Sequence, residues 1–144
     1  KYLARQVVIV GYGRVGREVA AALSAAGLPF VVADRNRERV EALRADGHAA
    51  VLGDAAEPAV LIQAHIAQAR MLVIATPDSM GAHAMIETAR TLNPEILVVV
   101  RGASEDEARR LERDDGARVF VGDRELALAM ARHVVAEAGP AGRQ

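Results

Sequence analysis

Three glycines and two carboxylates are the residues of this 144-residue chain whose types and spacing could do chemistry. Gly11, Gly13 and Gly16, in the run Val8-Ile9-Val10-Gly11-Tyr12-Gly13-Arg14-Val15-Gly16, fit G-x-G-x-x-G between an apolar strand and a helix start. Gly11 allows a tight turn, Gly13 lets the backbone approach a pyrophosphate, and Gly16 lets the helix pack closely on the sheet. The free N–H groups and positive dipole end of that helix would face phosphate oxygens. Arg14, inside the turn, could add paired hydrogen bonds to phosphate, or simply be a solvated arginine. Asp34 lies 18 residues after Gly16 (34 − 16), close to the spacing of about 20 expected of the acid that holds ribose hydroxyls. Its alternative role is a helix cap beside Arg35 and Arg37. A carboxylate there argues against a 2′-phosphate, an objection that Arg35 next to it would soften.

Asp54, Thr76 and Arg101 follow the third, fourth and fifth apolar runs, at the sheet edge where open α/β folds bind ligands. Asp54 could instead cap a turn near Pro58, Thr76 could merely start a turn, and Arg101 could pair with Asp123. Other chemistries lack their residues. The histidines at 48, 65, 83 and 133 show no HxxxH or HExxH spacing, so no metal site is expected. No G-x-S-x-G, no G-K-[ST] and no cysteine nucleophile occurs.

The elements that must position these residues alternate regularly. Apolar runs at 7–10, 29–34, 49–52, 71–75, 96–100 and 119–121 read as strands. Helices are expected at 15–26, with Val15, Val19, Leu23 and Ala26 on one face and Gly27 as its stop; from a cap at Asn36 to Gly47; from Pro58 to about Ala64; from Asp78 or Ser79 to Leu92; from the capping box Ser104-Glu105-Asp106-Glu107 to Gly116; and from a cap at Asp123 to about Glu137. Six strands alternating with helices predict an α/β, Rossmann-like, doubly wound parallel sheet of order 3-2-1-4-5-6, with helices on both faces. One domain is expected over residues 1–137, beginning with a leader or linker at Lys1 to Arg5, and residues 138–144 read as a flexible tail.

Composition agrees. Half the residues are apolar, yet there are only two Phe, two Tyr and no Trp, so the core must be aliphatic, as parallel strands under Ala-rich helices require. Eighteen basic against nineteen acidic residues give a net charge of −1, which offers no basic surface for nucleic acid or membrane. The absence of cysteine rules out disulfides and suits a reducing compartment. No run reaches the roughly 18 apolar residues of a membrane span. The chain starts at Lys1 without an initiator Met, and a piece of a longer protein is expected.

A dehydrogenase needs a second region that holds substrate against the cofactor. The six-stranded fold consumes nearly the whole chain, so the expectation is a bound nucleotide that shifts a conformational equilibrium rather than an enzyme. The cofactor-binding fragment of an NAD-dependent dehydrogenase is the alternative.

Val8 to Gly16 (VIVGYGRVG), Asp34, Gly53-Asp54-Ala55 and Arg101 together resemble the RCK, or TrkA-N, nucleotide-binding domain of bacterial potassium channels and transporters. Ala89-Arg90-Thr91-Leu92-Asn93-Pro94 and the stretch from Gly116 to Glu125 resemble the version at the C-terminus of Kef-type potassium/proton antiporters. The resemblance implies a cytoplasmic domain of an inner-membrane protein that binds an adenine nucleotide (NAD(H), AMP, ADP or ATP, with AMP or NAD favoured). Its gating target would be a membrane transport domain of the same polypeptide. It further implies that Gly11, Tyr12, Gly13, Arg14 and Val15 face phosphates, that Asp34 holds ribose and Arg35 covers the adenosine, that Asp54 and Ala55 flank adenine, and that Thr76 lies near the glycine turn. A homodimer is implied too, with the last helix contributing Leu126, Met130 and Val134 as a stripe; those residues could equally pack on their own sheet. The smaller ligand-binding subdomain of many channel regulators is absent from this sequence, and no motif establishes glutathione control.

Overall fold

The computed structural model describes residues 5–77 and 80–140. Six strands, β1 (Val7–Val10), β2 (Phe30–Asp34), β3 (Ala49–Leu52), β4 (Met71–Ile74), β5 (Leu97–Gly102) and β6 (Arg118–Val121), form one sheet in the order β3-β2-β1-β4-β5-β6. Every neighbouring pair is parallel. The expected sheet order therefore holds. Parallel strands covered on both faces read as continuous aliphatic runs, and all four residues of β1 are buried.

The helices are α1 (Arg14–Ala25), α2 (Arg37–Ala45), α3 (Pro58–Gln63), α4 (Ala82–Leu92), α5 (Glu105–Asp115) and α6 (Gly122–Ala138), with a 3-10 turn at Ile66–Gln68. Alternate strand residues feed two cores. Val8, Val10, Val31, Ala33, Leu72, Ile74, Val98 and Val100 pack with Leu61 of α3, Ile86 of α4 and Leu111 of α5. Val7, Ile9, Val32 and Val73 pack on the other face with Ala20 of α1 and Val40 and Leu43 of α2. This second cover stops short of the β5–β6 side, where Leu97 is 59% and Phe120 is 38% exposed.

Local chemistry explains most ends. The Asn36 side chain accepts the Arg39 N–H, Ser104 accepts the Glu107 N–H, and Pro58 occupies the first turn of α3. Gly116 takes the left-handed conformation that closes α5.

Several expectations need correction. Of the expected α1 face, Val19 and Leu23 pack partly buried against the second core, but the fully buried residues are Gly16 and Ala20, Val15 is exposed and Ala26 is the C-cap, because the helix is drawn onto the sheet at Gly16. β2 begins at Phe30 rather than Pro29, and β5 runs from Leu97 to Gly102, because Arg101 and Gly102 gain partners in Phe120 and Val121. Arg101 is thus within β5, not after it. The last helix starts at Gly122 with Val121 at its N-cap position, so Asp123 sits in the first turn and is no cap. No residue of α6 is buried, so the Leu126, Met130 and Val134 stripe does not pack on its own sheet. Arg124 roots this helix: its guanidinium donates to the Val119 carbonyl at 2.9 Å and meets Glu105 at 3.1 Å. The expected leader falls largely, the tail partly, and the Asp78 or Ser79 cap wholly outside the described residues; α4 itself begins at Ala82 after Gly81.

Candidate functional site

β1 and β4 lie side by side, yet the chain leaves β1 towards β2 and leaves β4 towards β5. Such a reversal opens a crevice at the carboxyl ends of the strands. A cleft of about 290 Å³ lies there. Val10 and Gly11 line it from β1 and its turn, Ala33, Asp34 and Arg35 from β2, Gly53 to Ala56 from the turn after β3, and Thr76, Met80, Gly81 and Met85 from the β4–α4 side.

The glycine turn is fixed by backbone. Gly11 has φ +97°, donates to the Ala33 carbonyl at 2.9 Å, and leaves only 2.7 Å between a hypothetical Cβ and Thr76 Cγ2. At Gly16 a Cβ would stand 1.9 Å from the Gly11 carbonyl oxygen, so only glycine lets α1 come this close to the turn. Around Gly13 a Cβ would meet nothing within 4 Å, which leaves open space beside the start of α1. Arg14 opens α1, exposed and without an ion pair among the described residues.

Asp34 is 8% exposed and ties the crevice together. Its Oδ2 accepts the Tyr12 N–H at 2.7 Å, and its Oδ1 accepts the Asn36 N–H at 2.7 Å. The Arg39 guanidinium stands 3.6 Å from Oδ2. A carboxylate offers about four lone-pair sites, so capacity remains for two hydroxyl donors. Asp54 accepts the Ala56 N–H at 2.9 Å, which shapes the turn leading into α3 without capping the helix.

The structure thus brings Gly11, Asp34, Arg35, Gly53, Asp54, Ala55 and Thr76 to one cleft. Tyr12, Gly13, Arg14 and Gly16 belong to the adjoining turn and helix start. Val15 and Arg101 instead line a separate, mostly apolar groove with Val19, Val99, Phe120 and Glu125. No ion pair joins Arg101 to Asp123 among the described residues. Sequence reasoning missed Arg39, Ala56, Met80, Gly81 and Met85. Arg39 carried a signal, since it sits three residues after the Asn36 cap and so returns towards the start of its helix. The α4 residues carried none, because they belong to a loop and helix start with no distinctive spacing.

Among the described residues no His, Asp and Glu cluster could hold a metal ion, and no helix is long and apolar enough to cross a membrane.

The TrkA-N domain profile matches residues 7–122. "Putative cation/proton antiporter YbaL" of Escherichia coli K12 is 34% identical over 140 residues, covering 97% of this chain and 25% of that protein. "Putative K(+) efflux antiporter KefB" of Alkalimonas amylolytica is 32% identical over 133 residues, covering 92% of this chain and 20% of that protein. The chain therefore spans a quarter or less of the length of these curated relatives. The crystal structure of the TrkA-N domain of the Escherichia coli inner membrane protein YbaL superposes with TM-score 0.85 at 35% identity, covering 90% of this chain and 96% of that one. The Kef C-terminal domain of Shewanella denitrificans in its AMP-bound form superposes with TM-score 0.78 at 25% identity, covering 96% of this chain and 84% of that one.

Proposed function

The chain belongs to the TrkA-N domain family, and from that premise we propose that it binds an adenine nucleotide and thereby regulates an attached potassium/proton antiporter or related cation transporter. The observation that carries this reading is the cleft at the strand-order reversal, where Asp34 and the Gly11–Gly16 turn meet. Asp34 would take the ribose hydroxyls on its remaining lone pairs. The open space at Gly13, the N–H groups of α1 and the Arg14 guanidinium would receive phosphate, and Asp54 and Ala55 would flank the base. Arg35 would cover the adenosine, and Arg101 would serve as an outlying cation. The Kef domain solved with AMP supports the ligand class. A role without catalysis is part of the proposal: the described cleft presents no nucleophile–base pair, and the relatives are transporters.

The proposal places the domain on the cytoplasmic side of an inner membrane, joined to a transport domain in the same polypeptide, and paired with a second copy through α6. Support for pairing comes from α6 itself, which leaves Leu126, Met130 and Val134 between 57% and 59% exposed.

Calorimetric titration with AMP, ADP, ATP, NAD and NADH tests the core of the reading. Saturable binding is expected, and Asp34→Ala should weaken it by about tenfold or more, the value of one or two lost hydrogen bonds to a charged group. Unchanged affinity in that variant would remove Asp34 from the site. Failure of all five ligands to bind would overturn the function.

A further inference from the structure

We propose that Arg39 is a positioning residue of the cleft, whose guanidinium holds the Asp34 carboxylate in place to accept the ribose hydroxyls and does not touch the ligand itself. The inference rests on the adenine-nucleotide reading above and adds a residue to it.

The run Asp34-Arg35-Asn36-Arg37-Glu38-Arg39 joins the end of β2 to the first turn of α2. The Asn36 side chain caps α2 by accepting the Arg39 N–H at 3.0 Å. In a capping box the residue at that third helical position is Glu or Gln, and its side chain returns to the N–H of the cap residue. Here that N–H is already engaged, since Asn36 donates it to Asp34 Oδ1 at 2.7 Å. Asp34 thus does from the strand what a glutamate would do from the helix, which leaves position 39 open to another side chain. It carries a cation, against local preference, because the amino end of a helix is the positive end of its dipole. The offsetting partner is Asp34, whose Oδ2 lies 3.6 Å from Arg39 Nη1. Arg37, in the same turn, forms no ion pair among the described residues. A local rule broken in favour of one contact points to a site that needs the contact.

The carboxylate is held on three sides, by the Tyr12 N–H, the Asn36 N–H and the Arg39 guanidinium. Its remaining lone pairs are left to the cleft that Asp34 lines. The Arg39 side chain is 47% exposed, so water screens the pair in the free domain and it contributes little there. A ribose seated over Asp34 displaces that water, and the same two charges then attract more strongly. The effect of Arg39 therefore belongs to the complex. At 3.6 Å the contact is a pairing of charges longer than a hydrogen bond, so a lysine would serve in part.

Calorimetry on the 144-residue chain with AMP and 2′,3′-dideoxy-AMP isolates this role, because both ligands carry base and phosphate and only AMP carries the diol. Arg39→Gln should weaken AMP about five- to tenfold and leave dideoxy-AMP within about twofold, with the melting temperature lowered by no more than a few degrees. Arg39→Lys should recover most of the AMP affinity. Arg37→Gln, which removes a charge from the same turn, should leave both ligands within about twofold. Arg39→Met keeps the side-chain stem and a good helix former, and repeats the comparison if glutamine unfolds α2. Unchanged AMP affinity without the Arg39 charge, an equal loss for both ligands, an equal loss in Arg37→Gln, or no recovery with lysine would overturn the inference and leave the nucleotide reading intact. If the parent chain binds no AMP, the nucleotide reading falls and this inference with it.

Discussion

At Gly16 a Cβ would sit 1.9 Å from the Gly11 carbonyl oxygen, whereas at Gly13 it would meet nothing within 4 Å. The two glycines of one motif therefore answer different demands, and the difference is measurable. Gly16→Ala forces α1 off the turn and should destabilise the domain by about 3 kcal/mol, the upper end of overpacking effects, read as a lower denaturation midpoint at unchanged m. Gly13 has φ −83°, so no left-handed backbone demands a glycine there. Gly13→Val should accordingly keep the parent's melting temperature within a few degrees and lose nucleotide binding. A well-folded Gly13→Val variant that binds AMP normally would contradict the phosphate-turn assignment. Asp34 combines both demands, since its carboxylate already accepts two backbone N–H groups before any ligand arrives. Its removal will therefore reduce stability as well as affinity. Withholding the ribose hydroxyls from the ligand, with 2′,3′-dideoxy-AMP, isolates the second effect.

The elements beside the site are joined by contacts that respond to acid. His83 near the start of α4 meets Asp115 at the end of α5, Nδ1 to Oδ2, at 3.1 Å. Arg90 donates to the Asp115 and Gly116 carbonyls. The hydrogen bond and charge of Asp115, helped by Glu87 and Asp114, hold the His83 imidazolium above its usual pKa of 6.5. A folded-state value raised above the unfolded one means stabilisation fully present below about pH 6.5 and lost as pH rises through the folded value. His83→Gln should thus lower the melting temperature at about pH 6 and leave it nearly unchanged at about pH 9, beyond the imidazole titration. An equal drop at both values would show that the proton has no part in the contact. The strands were legible in sequence because burial on both faces leaves an unbroken aliphatic signature, as in the four residues of β1. The end of β5 was not, since Arg101 joins the ladder through its partner Phe120, a contact between distant residues that no local pattern reports. Glycine spacing and the acid at the end of β2 were readable because their demands are local.

For the whole molecule, the uneven cover is the feature with most reach. One face of the sheet is sheathed by α3, α4 and α5, while the other is covered by α1 and α2 and then lies open towards β6. α6 departs at that open side with its apolar residues uncovered. Periodicity could mark Leu126, Met130 and Val134 as a stripe, but it could not say what surface meets them. If that surface is a second copy, Met130→Glu should shift the mass measured by light scattering from dimer to monomer with little change in the circular dichroism spectrum. A parent chain that is monomeric at every concentration would end the pairing proposal. The root of α6 sets how motion would travel along it. Arg124 fastens its first turn to α5 and β6, and its 17 residues make a rod about 26 Å long. Such a rod is a lever, and a tilt of about 5° at the root displaces its far end by about 2 Å. A small rearrangement of the sheet edge would thereby become a displacement of about an atom's radius at the far end of α6.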